Sequence, residues 1–374
     1  MSAIRAQRGF FIGELRRVLF SESSPEVGGQ ELQLLAQAQG LGRRGIEVRL
    51  ACPPASRIAK RALDQALPVW PVAFRNSLHP ASLLRVMQGI AEWRPDAVLC
   101  HSGHDADVCA IAARLARGRR PRLVRMRTYQ HGLPHAWTYN RLFDRTLVPS
   151  EALRKQLLAN PRVRPERISV LRPGIPFAEL EARSREPLDA GLEEKLARYP
   201  ARRLTHAAML REEKGHLFML EVLARVRERF SDLCYVVAGG GPLEEALRAK
   251  AKAMGLEASV CFAGVVRNLP ALYARSELVV MPSFYEPLGM SQVEALGLGV
   301  AVVGSRVGGI PETVEDRRTG LLAPPGDAQA WSAALSWALE HPAETRRMAA
   351  AGRADVRARF ELSGVLDQLV DHLS

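Results

Sequence analysis

No apolar run in the sequence approaches the ~20 residues that a membrane span needs, and Phe10-Phe11-Ile12-Gly13 is too short for a signal-peptide core despite Arg5 and Arg8 beside it. A cytoplasmic protein is expected. The five cysteines (Cys52, Cys100, Cys109, Cys234, Cys261) are odd in number, show no CxxC spacing and sit mostly in apolar stretches. That argues against a disulfide framework or a zinc site and leaves buried reduced thiols. Aromatic residues make up only 6% of the chain. None of the basic runs is interleaved with them, and there is no zinc finger or RNP-like run, so nucleic acid is not an expected partner. A nicotinamide-dependent oxidoreductase would need GxGxxG after its first strand and an acid about 20 residues on, and Gly28-Gly29-Gln30-Glu31 does not supply it.

What is present is enough chain for two ordinary domains, 374 residues with 47% hydrophobic content. The net charge of +12 is unevenly spread: residues 1–180 hold 28 Lys and Arg against 14 Asp and Glu, and the remainder holds 24 against 26. Arginine supplies 46 of the 52 basic residues, but a compositional bias would load both halves alike. An anionic partner for the first half follows, with a phosphorylated lipid or an anionic membrane surface as the expected kind.

Short apolar runs alternate with helical patterns in each half, the signature of βαβ units and parallel sheets. Strands are expected at Arg17–Phe20, Glu47–Ala51, Ala97–Cys100, Leu123–Arg127 and Thr146–Pro149, then at Leu204–Met209, Cys234–Ala238, Ser259–Ala263, Leu278–Met281 and Val300–Val303. The fold class is therefore α/β, with two Rossmann-like doubly wound domains facing across a cleft. Val170-Leu171-Arg172-Pro173-Gly174-Ile175-Pro176 has the punctuation of a crossing, followed by a charged, solvated connector up to Pro200. Residues 1–173 are read as the first domain and 174–354 as the second.

The stretch FYEPLGMSQVEALG (284–297) sets two glutamates, Glu286 and Glu294, about eight residues apart across a helix start. At about 1.5 Å per residue they would lie roughly 12 Å apart, too far for a short-range pair and suited to holding two ends of a long ligand. With a helix beginning near Pro287 or Leu288, at the carboxyl end of strand Leu278–Met281, the N–H groups of Leu288, Gly289 and Met290 would face a diphosphate. Glu286 would then bond hydroxyls on one side and Glu294 the two hydroxyls of a ribose. A nucleoside diphosphate sugar has that layout.

Glu286, Gly289 and Glu294 resemble the paired-glutamate pattern of the retaining family-four glycosyltransferases of GT-B fold. In the same order, Gly28-Gly29 resembles that family's N-terminal glycine loop, Lys214-Gly215 its phosphate-binding lysine and Gly239-Gly240-Gly241-Pro242 its glycine turn. Gly308-Gly309-Ile310-Pro311-Glu312, Thr319-Gly320-Leu321-Leu322 and Pro324-Pro325-Gly326-Asp327 continue the match. Each alone has a plainer reading: a glycine run is as often a tight turn, and Lys214 or Glu294 would otherwise be surface residues. Six matches in order are hard to reach by accident.

The resemblance implies Lys214, Arg211, Glu286 and a first-domain histidine as catalytic groups. It implies Gly28, Gly29, Gly241, Leu288, Gly289, Met290 and Glu294 as donor-binding residues. No cofactor and no metal are implied. The family's arginine five residues before this lysine is Met209 here, so either Arg211 is the substitute or donor binding is weakened. Arg125-Met126-Arg127-Thr128-Tyr129-Gln130-His131-Gly132 offers His131 as the sugar-facing histidine. Thr128 occupies that place in another register, and His101 and His104 are competing cleft residues. The resemblance implies sugar transfer from a UDP- or GDP-linked donor, and charge adds a lipid-linked or envelope glycan such as lipopolysaccharide as acceptor. Segment 355–374 is implied to pack back on the first domain. A nucleotide-sugar epimerase and a non-catalytic binding protein remain as rivals.

Overall fold

The computed structural model describes residues 15–25, 28–130 and 132–374. His131 and the Phe10-Phe11 patch lie outside the described residues.

In the first half, β1 (Arg17–Ser21), β2 (Glu47–Cys52), β3 (Val69–Pro71), β4 (Ala97–Cys100), β5 (Arg122–Met126), β6 (Arg145–Val148) and β7 (Ile168–Val170) form one parallel sheet in the order β3-β2-β1-β4-β5-β6-β7. In the second, β8 (Arg202–Ala207), β9 (Leu233–Ala238), β10 (Val260–Gly264), β11 (Leu278–Met281), β12 (Ala301–Ser305) and β13 (Leu321–Ala323) form another in the order β10-β9-β8-β11-β12-β13. These strands are near-continuous runs of Val, Leu and Ala because helices cover both faces, as in β9, where all of LCYVVA is buried. In each sheet the order reverses once, between β1 and β4 and between β8 and β11. Ligands of such sheets bind at the carboxyl ends of the strands beside that switch.

The connector after the first sheet is less solvated than its charge suggests. Phe177, Leu180, Leu192 and Leu196 from its two helices, and Leu188 between them, are buried against the second sheet. Val356 and Phe360, late in the helix Pro342–Phe360, belong to the same core. The chain then returns to the first half: Leu362, Val365, Leu366, Leu369 and Leu373 of the last helix are buried with Leu34, Ala38 and Leu41 of the helix Gly29–Arg43. Burying each such side chain stabilises by about 1.5–3 kcal/mol. The fit is close, since a Cβ on Gly40 would stand 2.3 Å from the Leu366 side chain.

The two crossings between the halves touch. Ile175 N–H donates to Phe360 O at 2.7 Å and Leu362 N–H to Ile175 O at 3.1 Å. Gln33 clamps the first crossing through both amide atoms, to Gly174 O at 2.8 Å and from Gly174 N at 2.9 Å. All five cysteines are free and buried. Among the described residues no helix is long and apolar enough to cross a membrane.

Candidate functional site

A cavity of about 480 Å³ lies between the carboxyl ends of the two sheets, lined from the first half by Gly29, Gln30, His101 and Thr128 among others and from the second by Met209, Arg211, Lys214 and Glu286 through Met290. Lys214 is placed there by a tight turn after β8. Gly215 follows it with φ of +75°, and a Cβ on it would stand 2.0 Å from the carbonyl of Pro282, just beyond β11. The lysine loop is thus pressed against the exit of β11, and the Lys214 ammonium lies 2.8 Å from the Glu286 carboxylate. Glu286 is buried, with the Ser283 hydroxyl 3.5 Å from the same oxygen.

The helix begins later than the sequence suggests, at Met290 with Gly289 as its cap. Gly289 has φ of +91°, outside the helical region, which leaves Pro287 and Leu288 in the approach rather than in the first turn. Two features hold this approach. The Gln292 amide donates back to Leu288 O at 2.6 Å and to Thr313 Oγ1 at 3.0 Å, filling the space a Cβ on Gly289 would need. Gly309 N–H donates to Glu286 O at 3.0 Å, while a Cβ on Gly308 would stand 1.9 Å from that carbonyl. The exposed donors of this helix are therefore those from Met290 onward.

Glu294 lies on the helix Met290–Gly297, half-buried, and is not among the residues around this cavity. Among the described residues its carboxylate makes no hydrogen bond or ion pair. Burial pushes its carboxyl up to about 7, and Arg183 acts in the opposite direction. Gly241 also stays outside the cavity lining; with φ of +159° it packs on the Met209–Leu210 loop, where a Cβ would stand 2.7 Å from Leu210 O. Gly28 caps its helix, its N–H bonded to Glu31 Oε2 at 2.7 Å, and its neighbour Gly29 lines the cavity.

Of the histidines, His101 borders the cavity. Its Nδ1 faces Ser21 O at 3.2 Å, and its buried Nε2 has no partner. Burial lowers its pKa to about 4, so the ring is neutral near pH 7. His104 is exposed and pairs with Ser77 at 3.2 Å, away from the cavity lining. Thr128 is in the lining; its hydroxyl donates to Gln30 Oε1 at 2.6 Å, and Gln30 Nε2 donates to Glu22 at 2.8 Å. Met209 is 51% exposed and shares the lining with Arg211.

Two sets of residues were missed. Gln30, Gln33 and Gln37, at three- and four-residue spacing on one face of a helix, all line the cavity, and Gln37 is 1% exposed with neither amide atom bonded. The spacing was readable, but glutamines on a helix read as surface. Asp105-Ala106-Asp107 has the spacing of a metal-binding pair, yet the buried Asp105 is committed to Ser21 Oγ at 2.7 Å, Ser23 Oγ at 3.0 Å and two backbone N–H groups. Glu22 beside it is pushed up to about 7, first by burial and then by Asp105.

Glu312, which belongs to the glycine loop, reaches across the cleft instead of into it. Its carboxylate accepts from Glu151 N at 3.0 Å and Ala152 N at 2.7 Å, at the start of the helix Glu151–Leu158 in the first half. The Ser150 hydroxyl donates to Pro287 O beside it. Tyr285 adds a bond to Gln156 at 3.1 Å and an edge contact with Tyr129 at 4.9 Å between ring centroids.

The family described as Glycosyltransferase Family 4 matches residues 27–179, and that described as Glycosyl transferases group 1 matches residues 194–355. A GDP-mannose-dependent alpha-(1-6)-phosphatidylinositol monomannoside mannosyltransferase of Mycolicibacterium smegmatis is 34% identical over 149 residues, 37% of this chain and 39% of that protein. The chain spans about two fifths of the length of the curated relatives it first matches. Among solved structures, a glycosyltransferase from Rickettsia africae superposes with a TM-score of 0.83 at 17% identity, over 96% of this chain and 98% of that one. Anabaena HepE in complex with UDP-glucose gives 0.81 at 22% identity, over 96% and 99%. These likenesses show the GT-B fold.

Proposed function

Because the chain belongs to the family-four glycosyltransferases, matched in both halves, we propose that it transfers a hexose from a nucleoside diphosphate sugar to a glycan hydroxyl with retention of anomeric configuration. The observation that carries this reading is the convergence on one cavity of Lys214, Arg211, Glu286 and the helix start at Gly289-Met290. Two cations and a set of N–H groups suit a diphosphate, and a carboxylate held by Lys214 suits sugar hydroxyls.

In the reaction, positive charge develops on the transferred sugar while negative charge builds on the departing diphosphate. Lys214, Arg211 and the N–H groups from Met290 stabilise that leaving group, which is the main electrostatic work. The departing phosphate oxygen takes the proton of the acceptor hydroxyl, so no separate base is required. Binding a phosphate at Lys214 also redirects the lysine from Glu286, freeing carboxylate lone pairs for the sugar. Glu294, on the same helix, takes the ribose hydroxyls at the far end of the donor.

The donor's nucleoside is uridine or guanosine: HepE was crystallised with UDP-glucose, and the M. smegmatis relative is GDP-mannose-dependent. A lipid-linked or envelope glycan such as lipopolysaccharide is the acceptor, met at the cytoplasmic membrane face, in keeping with the positive first half. The test is incubation with UDP-glucose and GDP-mannose, with and without membrane glycolipid. Acceptor-dependent nucleotide release supports the reading. Donor conversion without acceptor would identify an epimerase, and binding without turnover a non-catalytic protein.

A further inference from the structure

A smaller chamber of about 200 Å³ opens beside the cleft cavity on the first-half side. Gln30, His101, Thr128 and Tyr129 border both spaces, while Ser102, Gly103 and Arg127 border the chamber alone.

Its polar groups are of two kinds. His101 is 5% exposed, and its ring stacks on Phe20 with centroids 5.8 Å apart. With Nδ1 donating to Ser21 O, the proton is fixed on that nitrogen and Nε2 is a bare acceptor without a donor. A buried acceptor left unpaired costs free energy that a ligand hydroxyl would recover. Arg127, half-buried just after β5, has a different need. Its Nε and Nη2 donate to the neutral Gln130 Oε1, at 3.3 and 3.2 Å, the Tyr139 hydroxyl lies near, and among the described residues no carboxylate pairs with it.

The remaining walls agree. Gly103 opens the helix Gly103–Leu115; Asp105 in its first turn offsets part of the positive dipole end, while the N–H groups of Gly103 and His104 have no intrahelical acceptor. The two acids of this wall are already engaged: Asp105 accepts from Ser21, Ser23, His101 N and Ser102 N, and Glu22 accepts from Ser24 N, Gln30 and Ser102.

We propose that this chamber is the acceptor subsite, that Arg127 and the start of the helix Gly103–Leu115 take an oxyanion of the acceptor, a phosphate or a carboxylate, and that an acceptor hydroxyl donates to His101 Nε2. This rests on the glycosyltransferase reading and adds the chemistry of the acceptor to it. His101 stands where the two spaces meet, so the hydroxyl it holds lies between the anionic end of the acceptor and the donor sugar.

The test is calorimetric titration of the full chain with inorganic phosphate and, separately, with acetate. Each is done with the protein free and with it saturated by UDP or GDP, so that the diphosphate position is filled in one arm. Saturable binding that persists under nucleotide, weakens about ten-fold or more in Arg127→Ala and is partly restored in Arg127→Lys supports the subsite. Phosphate alone assigns a phosphorylated acceptor, and acetate alone an acidic sugar. Binding by neither, or equal binding by the wild type and Arg127→Ala, overturns it. Failure of both nucleotides to bind counts against the donor reading, and the Arg127→Ala contrast is still read in the free protein. A second measurement follows the His101 ring nitrogens by NMR as glycerol 3-phosphate is added. The Nε2 signal should move while Nδ1 stays protonated, and an unmoved Nε2 at saturation overturns the hydroxyl contact.

Discussion

The Lys214 ammonium and the Glu286 carboxylate stand 2.8 Å apart at the mouth of the second sheet, both mostly withdrawn from solvent at 21% and 9% side-chain exposure. Each is the other's charge partner until a diphosphate arrives. Lys214→Ala should therefore lower kcat by about 10²–10³, the cost of removing one preorganised donor from a developing anion. It should also lower the melting temperature, because Glu286 is left buried without its counter-charge. Initial rates over a donor series read the first effect and a thermal melt the second. A change confined to the acceptor's KM would refute the assignment.

Met209 and Arg211 line the same cavity, one apolar and 51% exposed, the other cationic. If Arg211 serves the diphosphate, Arg211→Ala should weaken nucleotide binding about ten-fold, the worth of one charge-assisted contact. Met209→Arg should strengthen it, and the double variant should fall near the wild type. Nucleotide titration of all three checks this; an Arg211→Ala protein that binds normally would remove Arg211 from the site.

Glu294 has a carboxyl pushed up to about 7 from an ordinary 4.5. Between those values the folded protein keeps a proton that the unfolded chain has lost, so this group's contribution to stability declines as pH rises through that window. Below about 4.5 both states are protonated and the penalty is absent. The melting-temperature gain of Glu294→Gln over wild type should thus be near zero at pH 4 and reach a plateau above pH 7. Donor use by Glu294→Ala should fall about ten- to hundred-fold. A pH-independent melting difference would contradict the first expectation, and unchanged donor affinity the second.

Gln37 carries an unbonded amide in the cavity wall. Gln37→Leu should stabilise the free protein by about 1–3 kcal/mol, the cost of an unsatisfied buried polar group, as a thermal or denaturant melt reads. Loss of stability on this substitution would show that the amide is satisfied in solution.

Glu312 takes two N–H groups of the opposite half's helix. Glu312→Ala should cost about 1 kcal/mol of stability, as other lost helix caps do, and increase hydrogen exchange at Glu151 and Ala152. Unaltered exchange there would mean that the halves are not held together by this contact.

Much of the fold could be read because long central strands announce themselves. Ala97–Cys100 and Leu278–Met281 fall where the sequence puts them, and the others are off by a residue or two at their ends. The three strands that escaped, Val69–Pro71, Ile168–Val170 and Leu321–Ala323, are three-residue strands at sheet edges, too short to show a period. The strand expected at Leu204–Met209 runs over Arg202–Ala207, because the charged Arg202 and Arg203 do not read as strand and the apolar Ala207-Ala208-Met209-Leu210 runs on past its end. The helix start at Met290 was misplaced for a different reason: the φ of Gly289 is set by Gln292 and by the Gly308-Gly309 loop, contacts that no local pattern reveals. Glu312 escaped likewise, since a capping bond 160 residues away in sequence leaves no trace in its own segment.

The last helix has a consequence for how the protein comes off the ribosome. Leu362 through Leu373 complete an apolar layer whose other members, Leu34, Ala38 and Leu41, come long before them in the chain. The leading half must therefore wait, its greasy seam open, while the trailing half is made and can close around Val356 and Phe360. A nascent chain halted anywhere before Leu362 is a natural client for chaperones, and truncation there should yield inclusion bodies rather than a working half.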